Sequence, residues 1–318
     1  MFERILRFYT KYFAVWVLLF GVIAYFLPTP FVALQDYNKL FFALTMFGIG
    51  AVLRVDDFER IARKPLVVLI GSCAQFTIMP FGAFLVARAF HLSPEMTVGL
   101  ILTGSAPGAM ASNVMSYIAK ADTAYSVSLT TVSTLLCPVL TPGLTLLLAH
   151  SEMNVPFFDM VVDVILMVIV PLICGFAVRH FFRRYVEKML PVFPAISVTF
   201  IIFICSLVIA LNKARLAQLT LLIITAALVL NLYGMSCGYG IASVFKMAKK
   251  RRRTLTIEIG MQNAGLGVVL ALNNFPQGKR ELVALPAAIF VFICIITASI
   301  LAEIWQRTSQ QDAPEEIR

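Results

Sequence analysis

The sequence predicts an all-α membrane protein with ten transmembrane helices in two inverted five-helix repeats, the fourth and ninth helices being broken. Composition, the length of the apolar runs and two glycine-rich interruptions predict this class. Of 318 residues, 60% are hydrophobic and 14% charged, whereas a soluble domain is roughly half apolar and a quarter charged. The apolar residues come in runs of about 20, the length that crosses a bilayer core, and not in the alternating segments of about 10 that are typical of outer-membrane barrels.

The apolar runs predict the spans in chain order. The first run follows Arg4, Arg7 and Lys11, and Pro28-Thr29-Pro30 comes after it in place of a cleavage site, so we interpret it as a transmembrane helix and not as a signal peptide. The ten spans are predicted at about 12–27, 38–53, 65–88, 96–118, 122–149, 156–180, 190–211, 216–245, 254–273 and 282–305.

The basic residues predict the orientation. With the N-terminus inside, 20 Lys and Arg fall on cytoplasmic segments and 6 on outer ones, which is the bias of the positive-inside rule. An even number of spans then places both termini in the cytoplasm, with a polar, disordered tail at 306–318. The net charge of +9 lies in short loops between apolar spans, so it does not indicate nucleic-acid binding. The six cysteines are scattered singly, which predicts neither disulfides nor a zinc site.

Two spans are interrupted in matching places, each the fourth of its half. The fourth span contains Thr103-Gly104-Ser105-Ala106-Pro107-Gly108, and the ninth contains Glu258-Ile259-Gly260-Met261-Gln262-Asn263-Ala264-Gly265. Five spans per half make the second half enter from the opposite face, so the repeat is inverted, and paired broken helices indicate a transporter's binding site. The alternative for either break alone is an ordinary kink with small-residue packing, as in Gly104-x-x-x-Gly108.

Glu258 is a carboxylate inside an otherwise apolar span, which normally marks an ion or substrate path. The second half-helices are expected to begin near Met110 and Ala264, facing one another. Their N-terminal ends suit an anion, and the carbonyls that end the first halves suit a hard cation. The alternative is that Glu258, which follows Arg253 closely, lies in a first helical turn at the membrane surface.

Side chains with oxygen atoms that could bind a hard cation cluster around these breaks. Ser126, Thr130 and Thr134 recur at intervals that place them on one face of the fifth span. The others are Gln75, Ser112, Asn113, Gln262 and Asn263. Because Glu258 supplies one formal negative charge, we expect two sodium ions to move with one monovalent anion, carrying a net charge of about +1. Asn231 is assigned to helix packing, and Asp163, near a span end, is expected to be solvated.

These motifs resemble those of the bile acid:sodium symporter family, in particular its bacterial members. The resemblance rests on Glu258-x-Gly260-x-Gln262-Asn263 and on Ala106-Pro107-Gly108 through Ser112-Asn113, and it covers roughly residues 10–305. It implies that the broken fourth and ninth helices cross. It also implies a panel domain at about 12–53 and 156–211 and a core domain at about 65–149 and 216–305. It also implies a single polytopic protein of the bacterial inner membrane, with no obligate protein partner.

The resemblance further implies the site residues. One sodium ion would be bound by Ser112, Asn113, Ser126, Thr130 and Glu258. The other would be bound by the side chains of Gln75, Gln262 and Glu258 with the carbonyls of Ile259 and Met261. The substrate, a bile acid, a steroid sulfate or a smaller carboxylate such as a keto or hydroxy acid, would lie near Asn113, Asn263, Met110, Ala111 and Ala264.

Three other functions are weighed against sodium symport. A sodium/proton antiporter of related architecture usually places a second carboxylate or a lysine at mid-membrane, and here Glu258 stands alone. An intramembrane enzyme needs a nucleophile–base pair or a metal motif, and the spans contain neither, so no enzymatic activity is expected. A channel fits less well, because paired broken helices suit a closed site that is reached alternately from each side.

Overall fold

Helices form the architecture of the protein, which is described here by a computed structural model covering residues 6, 8–10, 12–63, 65–190 and 192–311. The helices, labelled in chain order, are α1 (Phe13–Phe26), α2 (Thr29–Ala33), α3 (Asn38–Val52), α4 (Val55–Arg63), α5 (Pro65–Ala89), α6 (Pro94–Gly104), α7 (Ala111–Ile118), α8 (Thr123–Ala149), α9 (Phe157–Val164), α10 (Val170–Phe181), α11 (Arg183–Met189), α12 (Val192–Leu211), α13 (Lys213–Val244), α14 (Lys249–Gly260), α15 (Ala264–Asn274) and α16 (Arg280–Gln311). Within these ranges the β-structure is one isolated antiparallel bridge, between Gly108 and Gln262.

Six of the described helices are long and apolar enough to cross a membrane, and they coincide with the third, fifth, sixth, seventh, eighth and tenth predicted spans. They are Pro65–Ala89, Thr123–Ala149, Phe157–Phe181, Val192–Leu211, Leu221–Val244 and Arg280–Thr308. The chain is therefore a multi-pass membrane protein. The first and second predicted spans form the shorter helices α1 and α3, of 14 and 15 residues.

The fourth and ninth predicted spans each form two short helices. In the fourth, α6 ends at Gly104 and α7 begins at Ala111. Pro107 lies between them and cannot donate a helical hydrogen bond. In the ninth, α14 ends at Gly260, Met261 is extended (φ −114°, ψ 102°), and α15 begins at Ala264. The second halves therefore begin within one residue of the predicted positions.

Several boundaries differ from the predicted ones. α14 begins at Lys249 and not near residue 254, so its first turns are basic. α16 continues to Gln311, where a disordered tail is predicted from residue 306, and an i,i+4 ion pair between Glu303 and Arg307 supports this extension. The rest of the predicted tail, 312–318, lies outside the described residues, as do Arg4, Arg7 and Lys11.

The sixth predicted span is continuous but not uniform. A π-helical turn at Ile165–Ile169 joins α9 to α10, and Pro171 follows it in the first turn of α10. A wider turn before a proline is expected, because the ring has no N–H to donate and clashes with the preceding turn. Asp163, in the last turn of α9, is predicted to be solvated, and this prediction is wrong. Its side chain is only 14% exposed, and its Oδ1 pairs with Lys39 Nζ at 2.7 Å.

Glycines allow close approach between the helices that surround the two breaks. A Cβ on Gly104 would lie 2.5 Å from the Met79 carbonyl oxygen, and one on Gly238 would lie 2.8 Å from that of Leu255. Gly104 therefore has the packing role that is the alternative given for it above, and Gly238 packs in the same way. The close packing brings α5, α6, α8, α13 and α14 into one group around the breaks.

Candidate functional site

The two helix breaks meet each other inside the protein. The Ala109 N–H donates to the Met261 carbonyl at 2.9 Å, and the Asn263 N–H donates to the Pro107 carbonyl at 2.8 Å. These bonds form the antiparallel bridge centred on Gly108 and Gln262. A broken helix leaves backbone donors and acceptors that hydrocarbon cannot satisfy, so each break supplies the partners that the other needs. We refer to residues 105–110 and 261–263 as the crossing.

Side chains cap the helix ends at the crossing. The carbonyl of Gly260, the last residue of α14, accepts from Asn231 Nδ2 on α13 at 2.7 Å. At the start of α15, Asn263 Oδ1 accepts from the Leu266 N–H at 3.3 Å. Asn231 therefore does more than the packing predicted for it, since it satisfies a buried carbonyl that the break leaves free.

Glu258 lies in the last turn of α14, where its carboxylate is buried beside the crossing with 2% of the residue exposed. Glu258 Oε2 accepts from Ser112 Oγ at 2.6 Å and from Ser126 Oγ at 2.9 Å. Glu258 Oε1 accepts from Thr130 Oγ1 at 2.6 Å. The alternative that Glu258 is a surface carboxylate in a first helical turn is therefore wrong.

These hydroxyls come from two helices that enter the site from different sides. Ser112 is in the first turn of α7, and Ser126 and Thr130 lie one turn apart on α8. Asn113 joins them, because its Oδ1 lies 3.3 Å from Thr130 Oγ1. We call these four residues together with Glu258 the hydroxyl–carboxylate cluster. Thr134, which continues the same face of α8, is buried but contributes no hydrogen bond to the cluster.

Gly108 forms the wall of this cluster. A Cβ at this position would lie 2.4 Å from Glu258 Oε1, so any other residue would collide with the carboxylate. The Gly108 N–H donates to Ser133 Oγ at 3.2 Å, and Ser133 Oγ in turn lies 3.1 Å from the Thr130 carbonyl. Sequence reasoning missed Ser133, although its place one turn after Thr130 on α8 could have indicated it.

A second polar group lies where α5 meets the crossing. Gln75 Nε2 on α5 donates to Gln262 Oε1 at 2.7 Å, and Gln262 Nε2 donates to the Ile259 carbonyl at 3.1 Å. Gln75 Oε1 is buried and has no partner among the described residues. The Met261 carbonyl, which belongs to the same predicted set, accepts from Ala109 as above. The hydrogen bonds of the Glu258 carboxylate go to the hydroxyl–carboxylate cluster and not to Gln75 or Gln262.

The five residues predicted to contact the substrate all lie at the starts of α7 and α15. Met110, Ala111, Asn113 and Asn263 are partly exposed, whereas Ala264 is buried. The Ala264 N–H donates to the Gln262 carbonyl at 2.8 Å, so this amide is engaged within the crossing. Asn113 Nδ2 lies 3.9 Å from Met110 Sδ, a weak contact that leaves this amide able to bind a stronger acceptor.

The connection between α7 and α8 is attached to the first turns of α14. The Asp122 N–H donates to Thr254 Oγ1 at 3.0 Å, and Arg251 Nε lies 3.3 Å from Asp122 Oδ2. Arg253, only 5% exposed, donates from Nη1 to the Ala119 carbonyl at the end of α7 at 3.1 Å. These contacts, which sequence reasoning missed, fix the three helices that carry the hydroxyl–carboxylate cluster relative to one another.

The chemistry available in the cluster is that of a hard-cation site. Hydroxyl, amide and carboxylate oxygens are the donors that such cations prefer, and a buried carboxylate is stabilised by a cation more than by neutral donors. The hydroxyl oxygens of Ser112, Ser126 and Thr130 lie within 2.9 Å of the Glu258 carboxylate. A monovalent cation such as sodium would balance the single charge of Glu258 in a place where an unpaired charge is costly.

Comparisons with known proteins show the family of the chain. The profile of the sodium bile acid symporter family matches residues 39–219. A sodium-dependent transporter of Bacillus subtilis, YocS, is 39% identical over 305 residues, which are 96% of this chain and 94% of that protein. A probable chloroplastic sodium/metabolite cotransporter of Arabidopsis thaliana, BASS1, is 31% identical over 93% of this chain and 74% of its own length. The sodium/bile acid cotransporter 4 of the rat is 28% identical over 73% of this chain and 55% of its own length. The chain thus belongs to the sodium bile acid symporter family of sodium-dependent transporters.

Proposed function

We propose that the protein is a secondary active transporter that carries an organic anion together with sodium by alternating access. The observation that carries the proposal is the buried Glu258 carboxylate, held by three hydroxyls at the point where two broken helices meet. Related proteins are named as sodium-dependent transporters, which supports sodium as the coupling ion. A carboxylate at this depth fits an ion path better than a structural role.

We propose that the first sodium ion is bound by Ser112, Asn113, Ser126, Thr130 and Glu258. The convergence of their oxygens in one buried cluster supports this. When sodium enters, the hydroxyls turn their hydrogens away and offer lone pairs, since each hydroxyl can donate or accept. The second ion would use Gln75 and Gln262 with the carbonyls of Ile259 and Met261. The unpartnered Gln75 Oε1 supports this set, and a rotation of the Glu258 carboxylate would be needed for it to serve both ions.

The substrate would bind beside the starts of α7 and α15, near Asn113 and Asn263. Both helix starts present the positive end of a helix dipole, which suits a carboxylate or sulfate. Met110 brings no charge there, so the anion would be bound by backbone amides and the two asparagines. The relatives are named for metabolites and for bile acids, and a small carboxylate and a bile acid are therefore both included in the substrate class.

We propose ten membrane crossings in two inverted repeats, with both termini in the cytoplasm of a bacterial cell. The contacts between helix ends fit this topology. The pairs Lys39–Asp163 and Arg88–Glu152 each join ends that are predicted to be outside. The pair Arg251–Asp122 joins ends that are predicted to be inside. A panel of about 12–53 and 156–211 would then move against a core of about 65–149 and 216–305 to expose the crossing to each side in turn.

The proposal is tested with the purified protein in proteoliposomes. A panel of bile acids, keto acids and hydroxy acids is first screened for compounds that raise thermal stability in sodium but not in potassium. Uptake of the best compound is then measured under an inward sodium gradient, an inward potassium gradient or a pH gradient alone. Uptake that follows the sodium gradient supports symport, and sodium flux that needs a pH gradient but no organic anion would identify an antiporter instead.

The number of sodium ions has a separate electrical test. Two sodium ions with one monovalent anion carry one net positive charge inward. Moving this charge down an inside-negative potential releases about 2.3 kcal/mol per 100 mV, so the potential should accelerate uptake. Transport that creates no current and ignores the potential would rule out this stoichiometry.

A further inference from the structure

Five polar side chains join the outer end of α15 to α3 and α9. They are Asn38, Lys39, Asp163, Asn273 and Asn274, and we call them the outer clasp. We propose that the outer clasp is a gate that is closed in this structure and must open once in every transport cycle to admit the anion from outside. The proposal rests on the proposed function, since it names the contacts that alternating access must break.

Two asparagines at the end of α15 make the contacts across the gate. Asn273 Nδ2 donates to Asn38 Oδ1 on α3 at 2.6 Å, and Asn274 Nδ2 donates to Asp163 Oδ2 on α9 at 2.8 Å. Each of these amides also donates to the carbonyl four residues earlier in α15, at 2.7 and 3.2 Å. Since an amide nitrogen has two hydrogens, both asparagines use one for their own helix and one for the neighbouring helix.

Lys39 holds the acceptor on α9 in place. Lys39 Nζ lies 2.7 Å from Asp163 Oδ1, so Asp163 accepts from α3 through one oxygen and from α15 through the other. The Lys39 side chain is 43% exposed and Asp163 is 14% exposed, which places the ion pair at the rim. When α15 moves away, Asp163 keeps Lys39 as its partner and water can reach the oxygen that is released. The clasp can therefore open without leaving a buried charge unpaired.

An aromatic contact closes the path beneath the outer clasp. Phe42 on α3 and Phe200 on α12 are both buried, with ring centroids 5.3 Å apart. A Cβ on Gly265, in the first turn of α15, would be 3.8 Å from both rings. α15 therefore lies against the panel helices from the crossing to its outer end, a length of about 15 Å. In the proposal, an anion from outside reaches Asn263 when α15 separates from these helices.

The contacts of the outer clasp lie between the two groups of helices that are proposed to move. The donors Asn273 and Asn274 are on a core helix, and the acceptors Asn38 and Asp163 are on panel helices. The same helix, α15, begins at the crossing, where sodium is proposed to bind. Ion binding that shifts the start of α15 would act on the clasp through one rigid element, and opening the clasp would change sodium affinity in return.

The test closes the gate covalently. Asn38 and Asn273 are both replaced by cysteine (N38C with N273C), and the pair is linked with a short bis-methanethiosulfonate, which releases methanesulfinate at each end and leaves two disulfides that can be reduced. Radioactive sodium influx driven by the anion from the uptake screen is measured in proteoliposomes before linking, after linking and after reduction. Sodium-dependent thermal stabilisation is measured on the same samples. N38C and N273C alone, treated identically, control for reaction at the native cysteines.

The proposal expects the linked protein to lose influx by about tenfold or more, to regain it on reduction, and to keep sodium-dependent stabilisation throughout. Linked protein that transports at the unlinked rate would overturn the proposal. Failure of the two cysteines to link would also overturn it, because it would show that positions 38 and 273 are not in contact. Failure of the proposed function looks different, because the unmodified protein would then show neither sodium-driven influx nor stabilisation by sodium.

A second variant tests the gate without cross-linking. Asn273→Ala combined with Asn274→Ala removes both contacts across the gate while favouring the helix. A weaker gate populates the outward-open state, so the external sodium concentration that half-saturates influx should fall by about threefold or more. Asn154→Ala, at an exposed outer asparagine, serves as the matched control. An unchanged half-saturating concentration in the double variant would overturn the proposal.

Discussion

The Ser112 hydroxyl and the Glu258 carboxylate lie 2.6 Å apart, although 146 positions separate them in the chain. Ser112 is in the first turn of α7 and Glu258 is in the last turn of α14, so this hydrogen bond joins the two broken spans beside their interruptions. The crossing is therefore held by side chains as well as by the backbone bonds of Ala109 and Asn263. A cation that accepted lone pairs from the Ser112 hydroxyl and the Glu258 carboxylate would be bound by both spans at once.

Glu258→Gln should remove the response to sodium while leaving the fold intact. The amide has the shape of the carboxylate, its oxygen can still accept from the hydroxyls on one side and its NH2 group can donate to those on the other, but it has no charge to balance a cation. We expect the sodium affinity to fall by more than about tenfold, since at least 1.4 kcal/mol of charge interaction is lost. The measurement is thermal unfolding across a sodium titration, with potassium replacing sodium at constant ionic strength. Glu303→Gln, at an exposed carboxylate, is the control, and a normal sodium response in Glu258→Gln would end the assignment of this site.

Thr130→Val should weaken sodium binding by a smaller amount. Valine has the shape of threonine but lacks the oxygen that lies 2.6 Å from Glu258 Oε1. Loss of one ligand of several should cost about 1–2 kcal/mol, or roughly tenfold in affinity. Thr145→Val on the same helix is the matched control, because the Thr145 hydroxyl donates only to the Thr141 carbonyl, at 2.7 Å. Equal effects of the two substitutions on the sodium titration would contradict the proposed ligand role.

Gly108→Ala should disable the cluster through steric contact alone. The added methyl group would lie 2.4 Å from Glu258 Oε1, so either the carboxylate or the crossing has to shift. We expect sodium-driven uptake to fall by about tenfold or more, the usual result of misplacing a binding group by an ångström. Gly240→Ala provides the comparison, since a Cβ there meets nothing within 4 Å. Uptake at the parental rate in Gly108→Ala would show that the Glu258 carboxylate does not depend on a glycine at position 108.

Arg253→Ala should lower stability without abolishing the preference for sodium over potassium. The guanidinium donates to the Ala119 and Trp305 carbonyls and lies over the Trp305 ring at 5.5 Å. Losing these contacts should cost about 1–3 kcal/mol, because buried carbonyls are left without donors. Thermal unfolding in detergent measures the loss, with the exposed Arg307→Ala as control. An unfolding temperature equal to that of the parent would show that Arg253 does not hold α7 and α16 to α14.

Local sequence chemistry predicts the breaks well, because their causes are local. Pro107 lacks an N–H and glycines weaken both spans, so the second halves could be expected near Met110 and Ala264, and they begin at Ala111 and Ala264. The regular spacing of Ser126 and Thr130 likewise predicts that both face one direction on α8. That this face meets Glu258 depends on how three helices pack, which spacing alone does not determine.

Contacts between distant segments account for what was not predicted. Arg253 reads as a loop residue in the sequence, yet it is buried, because α14 begins earlier than hydropathy indicates and the carbonyl of Ala119 needs a donor. Asp163 reads as a solvated residue near a span end, and its partners lie 124 and 111 positions away. Apolar content sets the predicted ends of a span, whereas ion pairs and caps at those ends depend on neighbours that only the folded chain brings together.

The most direct test of the account is the position of the cation itself. Crystals of the protein grown in sodium can be soaked with thallium(I), a monovalent cation whose anomalous scattering reveals where it binds. The account predicts an anomalous peak among the oxygens of Ser112, Ser126, Thr130 and Glu258, which sodium removes in competition and which is missing in Glu258→Gln. A peak that persists in Glu258→Gln, or one that lies away from the crossing, would contradict it.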